Sequence, residues 1–162
     1  MRIYEVDRKL SQTELDQLEI FADRLFAKVG IDVEFTRHFL DRVNDERNVK
    51  QITASELTRL FKQEHKRWGK QIAQFGPDSE AVLKDLATDV NIPFALRWDN
   101  ANNELDLIAK TVMRKNNFKT SNKEFQVNSF NFHSDSKQSK MIMESIEALM
   151  EGMPAVDLFN NM

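Results

Sequence analysis

Apolar side chains recur every three or four positions between residues 11 and 75, and at every second position after residue 91. The first rhythm belongs to an amphipathic helix, the second to a strand buried on one side. Ser11-Gln12-Thr13-Glu14 carries the Ser-x-x-Glu pattern, in which hydroxyl and carboxylate each cap a backbone N–H of the other's residue. Leu15, Leu18, Phe21, Ala22, Leu25 and Val29 follow at helical spacing, and Gly30 supplies a stop. The spacing predicts a helix over 11–29. Phe35, Phe39, Leu40 and Val43 predict a second over 34–45. Thr53-Ala54-Ser55-Glu56 repeats the capping pattern, and Leu57, Leu60, Phe61, Trp68, Ile72 and Phe75 continue one stripe to Gly76-Pro77. A third helix is expected over 53–75, with Gly69 marking a kink or a close approach at a cost of about 1 kcal/mol relative to Ala.

Past Pro77 the rhythm changes. Residues 80–86 fit helix or strand, and strand is preferred. Ile92, Phe94, Leu96 and Trp98 alternate with Pro93, Ala95 and Arg97, so 92–98 reads as a strand with its proline near the entry or at an edge. Residues 104–114 predict one further strand, with Leu105, Leu107, Ala109, Thr111 and Met113 on one face and Asp106, Ile108, Lys110, Val112 and Arg114 on the other. The turn-rich link Asp99–Asn103 makes the two an antiparallel hairpin. Residues 124–130 offer another strand, and 137–151 a C-terminal helix carrying Met141, Ile142, Ile146, Leu149 and Met150. Residues 1–10 fit a short strand or an unstructured lead. Helices first and strands afterwards define an α+β fold: N-terminal helices packed on an antiparallel β-meander, with a C-terminal helical tail. Phe39, Phe61, Trp68 and Trp98 are the expected aromatic core.

Composition narrows the function classes. The 162 residues carry 23 Lys and Arg against 26 Asp and Glu, a net charge of −3, which excludes a uniformly basic nucleic-acid coat. No cysteine is present, so disulfides, thiolate metal sites and cysteine nucleophiles are excluded. No run of 18 apolar residues exists, and the N-terminus lacks the apolar stretch of a secretory signal. No membrane association is expected, and the expected compartment is reducing. Neither a glycine-rich phosphate loop nor a G-x-S-x-G elbow occurs. His38, His65 and His133 lack the close spacing of a metal pair, so neither metal nor cofactor is expected.

Charge is distributed unevenly. Residues 36–75 hold nine Lys and Arg against five Asp and Glu, and residues 104–123 hold five against two. Such local cation density suits phosphate, and equally suits a solvated helix face. His38 and Arg42 stand one helical turn apart, Arg47 follows closely, and Lys110 and Arg114 share a strand face. An imidazole among cations fits metal-free RNA cleavage. A base takes the 2′ proton, cations stabilise the phosphorane, and an acid protonates the leaving oxygen. An ordinary surface histidine fits the same spacing.

Residues Phe35–Asn48, with His38, Arg42 and Arg47, then Ile52 and Glu56-Leu57, resemble the start of the barnase–colicin–RelE-like nuclease superfamily in its phage-encoded form. Asn91–Arg97 and Leu107–Lys115 resemble its later strands. The likeness spans about residues 32–118. It implies a cleft lined by His38, Arg42, Arg47, Lys110 and Arg114 as the catalytic set, with Arg97, Lys115 and Lys50 binding substrate, and metal-independent chemistry on RNA. It further implies a phage-encoded protein of the host cytoplasm or the virion. Ile142-Met143-Glu144 and Leu149-Met150-Glu151 are similar to triplets cut by maturation proteases of tailed-phage heads, although any amphipathic helix yields such triplets. The expected organisation is an N-terminal helical extension (1–31), a nuclease-like domain (32–130), and a linker with C-terminal helix (131–162). RNA is one expected partner; other phage proteins or a second copy, bound through 137–151, are the others. Two functions remain open: an RNA-cleaving or RNA-binding domain, and a non-catalytic virion or head-assembly protein that keeps the fold.

Overall fold

A computed structural model describes residues 8–129. The lead 1–7, the helix expected over 137–151 with its triplets, and His133 lie outside the described residues. The chain order is α1 (Gln12–Ala27), β1 (Ile31–Phe35), α2 (Phe39–Val43), a 3₁₀ turn (Glu46–Asn48), α3 (Ala54–Phe75), β2 (Ser79–Asp85), β3 (Val90–Asp99), β4 (Glu104–Ala109), β5 (Met113–Arg114) and β6 (Lys123–Val127). The strands form one six-stranded, mostly antiparallel sheet in the order β1-β4-β3-β2-β6, with β5 beside β3. β1 runs parallel to β4, and β6 parallel to β2. The fold is α+β.

Both long helices begin where their capping boxes stand. The Ser11 hydroxyl accepts from the Glu14 N–H while the Glu14 carboxylate accepts from the Ser11 N–H; Thr53 and Glu56 repeat the exchange. Gly30, at φ +78°, reverses the chain into β1. Helix α1 lies before the stretch that carries the resemblance and is expected as an extension; in the fold it packs Leu15, Leu18, Phe21, Ala22, Leu25 and Phe26 into the same core as α3 and the sheet. Gly69 serves close approach. A Cβ there would stand 3.2 Å from the His65 ring and 3.8 Å from Val29.

The strands present one parity to this core. Ile31 and Val33, Ala81 and Leu83, Ile92, Phe94 and Leu96, Leu105, Leu107 and Ala109, and Phe125 and Val127 all join it. The hairpin pairs Phe94 with Ala109 through to Asp99 with Glu104. β1 is an edge strand, and an unpaired edge invites pairing with other chains. Here α1 covers it chemically: the Asp23 carboxylate accepts the Val33 N–H at 2.9 Å, and Glu19 accepts the Phe35 N–H at 2.8 Å.

Three expectations need correction. The second helix does not reach back to residue 34. Ile31, Val33 and Phe35 alternate with Asp32 and Glu34, a period-two pattern that makes β1 and leaves a helix of only five residues, with Phe39 stacked on Phe35 at 4.4 Å. The strand expected over 104–114 breaks after Ala109. Pro93 offers no N–H on the side where its carbonyl accepts from the Lys110 N–H, so the ladder is interrupted opposite it and resumes at β5. The break shifts parity and turns Val112 inward, to 2% exposure. Trp98 shares the face of Leu96 but lies beyond the helices at 44% exposure, whereas Phe39 and Phe61 are fully buried. Trp68 is half-buried, its indole N–H donating to the Gln126 carbonyl at 2.8 Å.

Phe61→Ala is expected to destabilise by roughly 3–5 kcal/mol in denaturant unfolding, and Trp98→Ala by under about 1 kcal/mol. Equal losses would contradict this packing.

Candidate functional site: a cation-lined cleft

Two distant stretches meet in an open cleft of about 900 Å³, lined by residues from 38–49 on one side and 110–116 on the other, with Asp89 between them. His38, Arg42, Arg47, Lys110, Arg114 and Lys115 all line it. Arg97 and Lys50 do not. Arg97 is exposed, opposite Asp106 in the ladder, and Lys50 is exposed beside the cleft. The 3₁₀ turn places Arg47, and the five-residue helix places Arg42 one turn beyond the exposed His38, whose carbonyl accepts the Arg42 N–H at 3.1 Å.

Not every cation is available. Arg114 is a strut rather than a free guanidinium. It makes a two-point pair with Glu56 at 2.8 and 2.9 Å, and its remaining donors reach the carbonyls of Lys50, Gln51 and Thr88. Burial alone would raise the Glu56 carboxyl; the hydrogen bonds and charge of Arg114, with the Thr53 N–H and hydroxyl, outweigh it and hold the group below its ordinary value. Asp45 lies between Arg42, at 3.7 Å, and Arg47, at 2.7 Å. The side-chain and backbone hydrogen bonds from Arg47 lower its pKa to about 2. Lys110 pairs with Glu80 across the sheet. Both sides of these two pairings are solvent-exposed in part, so they hold the cations weakly and leave them able to turn to a phosphate.

Asn48 is the hidden organiser. Its buried side-chain amide donates to the carbonyls of Arg42 and Val43, and its side-chain oxygen accepts the Arg114 N–H at 3.0 Å. The spacing of the sequence marked Asn48 only as a helix exit and Glu56 only as a cap. Neither shows in sequence as a partner of a residue some sixty positions later, because nothing local encodes that contact.

The described residues contain one carboxylate cluster of metal-ligating type, Asp32, Glu104 and Asp106, with oxygens within 4.8 Å of one another. Asp32 and Asp106 are ladder partners. Burial, a hydrogen bond to Asp23 and the charges of Asp23, Glu104 and Glu34 raise Asp32 to about 8. A proton held by Asp32 thus relieves the repulsion. Within the core, Glu64 is fully buried with neither carboxylate oxygen hydrogen-bonded to a side chain, and burial pushes its pKa well above the ordinary value. No family model, curated protein or solved structure matches the chain. Among the described residues no helix is long and apolar enough to cross a membrane.

Arg114→Ala leaves Glu56 buried without its partner and should cost roughly 3–5 kcal/mol, with Arg114→Lys unable to restore it because a single ammonium cannot span the same acceptors. Unfolding curves of the two variants check this. For Asp32 the folded pKa exceeds the unfolded value, so its contribution is full below pH 3.8 and is lost as pH rises to about 8. Asp32→Asn should flatten that part of the melting profile, giving a higher Tm than wild type at pH 8 and a similar one near pH 4. Parallel profiles would show that Asp32 holds no extra proton.

Proposed function

We propose that the chain binds single-stranded RNA in this cleft and cleaves it without a metal. The observation that supports the reading most is the convergence of His38, Arg42, Arg47, Lys110 and Lys115 from two distant segments onto one open cleft. Guanidinium and ammonium groups so arranged suit a phosphate backbone, and an exposed imidazole at the cleft offers a ring nitrogen that can accept a proton. His38 takes the 2′ proton, the 2′ oxygen bonds to phosphorus, and the bond to the 5′ oxygen breaks, water supplying that oxygen's proton. The products are a 2′,3′-cyclic phosphate and a 5′ hydroxyl. Arg42 and Arg47 offset the charge that grows on phosphorus oxygens.

A second reading has its own support. Asp45, Glu80 and Glu56 already partner four of the cleft's cations. That favours a non-catalytic virion or head-assembly protein that keeps the fold, in the tailed-phage setting that the sequence resemblance implies.

Purified protein is expected to bind a labelled RNA oligonucleotide in EDTA, with log Kd rising against log salt at a slope of roughly 3 if Arg42, Arg47, Lys110 and Lys115 each take one phosphate. It should release cyclic-phosphate ends. His38→Ala should lose most cleavage while keeping its binding and melting curve. Binding without cleavage by wild type removes the catalytic step and keeps RNA as the ligand, and no binding at all rejects RNA and leaves the second reading.

A further inference from the structure

Val49 stands at the cleft in a conformation that valine avoids. Its φ is +66° and its ψ −55°, and the Lys50 N–H donates to the Asn48 carbonyl at 2.6 Å. This is a γ-turn of the rare, strained kind. A β-branched residue at positive φ is an outlier, whereas the other non-glycine residues with positive φ among the described residues are Asp78, Asp89 and Asn103, types that tolerate it. Among the described residues nothing apolar rewards the arrangement: Val49 is 97% exposed, the highest value among their exposed large apolar side chains.

The turn is nevertheless held from both sides. Asn48 is buried and anchored to the Arg42 and Val43 carbonyls. Arg114 grips the Lys50 and Gln51 carbonyls on the far side. Strain of this sort persists only where the surroundings impose it, and it gathers at ligand-contacting sites. Here the imposed geometry lifts an apolar side chain to the cleft, one residue before Lys50 and two after Arg47 in the chain.

We infer that Val49 is the contact for a nucleobase, an apolar wedge against an unstacked base of single-stranded RNA, while its cationic neighbours face the flanking phosphates. This rests on the RNA reading above. Apolar side chains are used in this way against bases in other nucleic-acid interfaces. The contact separates base recognition from backbone attraction: phosphate binding belongs to the arginines and lysines, and the preference for RNA over a bare polyanion belongs to Val49.

The test uses the full chain and two probes, a labelled single-stranded RNA octamer and inorganic polyphosphate. Val49→Gly removes both side chain and strain. Val49→Asn keeps a side chain of similar size that tolerates positive φ but is polar. Both variants should bind the RNA about tenfold more weakly, the loss expected for uncovering one small apolar contact. Both should bind polyphosphate within about twofold of wild type, and Val49→Gly should melt higher. RNA binding equal to wild type in both variants overturns the role of Val49 and leaves the RNA reading standing. Equal losses on RNA and polyphosphate overturn it too, since Val49 would then shape the cleft without touching a base. A wild type that binds polyphosphate but shows no preference for RNA overturns both readings together.

Discussion

The buried pair between Arg114 and Glu56 is the joint on which the cleft depends. Glu56 already caps α3 by accepting the Thr53 N–H, and the same carboxylate then takes the Arg114 guanidinium. Arg114 in turn holds the carbonyls of residues 50, 51 and 88. Helix start, strand end, the loop before α3 and the turn before β3 therefore meet at one ion pair. Taking two charges out of water is costly, and such a pair persists when every donor and acceptor finds a partner. Here the guanidinium donors all do. The walls of the cleft are set by that satisfaction rather than by apolar packing alone.

Electrostatics in the molecule is organised by separation. Cations collect where residues 38–49 meet 110–116, and carboxylates collect on β1 and β4 around Asp32, Glu34, Glu104 and Asp106. The first group is eased by Asp45, Glu80 and Glu56. The second has few cations near it, and burial with mutual repulsion raises all four of its pKa values. A net charge of −3 thus conceals local groupings of opposite sign, and the cleft is a place where a polyanion would meet several cations together.

The sheet's edge is handled by the same economy of groups. Glu19 and Asp23 sit one turn apart on α1, which is why both reach alternate N–H groups of β1. Glu19 also feels the charges of Asp16 and Asp23, and Asp23 helps to raise Asp32 through a side-chain hydrogen bond and its charge. Edge protection and the acidic face are therefore one network. Such coupling explains how an acidic helix packs against an acidic strand without repelling it.

The local code was legible. Ser11 and Thr53 announced both long helices through their capping partners, and the alternation from Ile92 to Leu96 and from Leu105 to Ala109 announced the central hairpin, because each signal is complete within a few residues. The cationic lining was legible as a set of residue types at His38, Arg42, Arg47 and Lys110. Their convergence was decided by the sheet, which carries β4 and β5 back to the turn at Glu46–Asn48. The role of Arg114 was also a tertiary decision: its spacing from Lys110 suggested a shared strand face, but the interruption opposite Pro93 changed the parity, and a partner in Glu56 took the guanidinium inward. Val49 carried no sequence signal and Asn48 only that of a helix exit, since a strained turn is defined by the anchors on both sides of it, and those anchors lie on elements brought together only by folding.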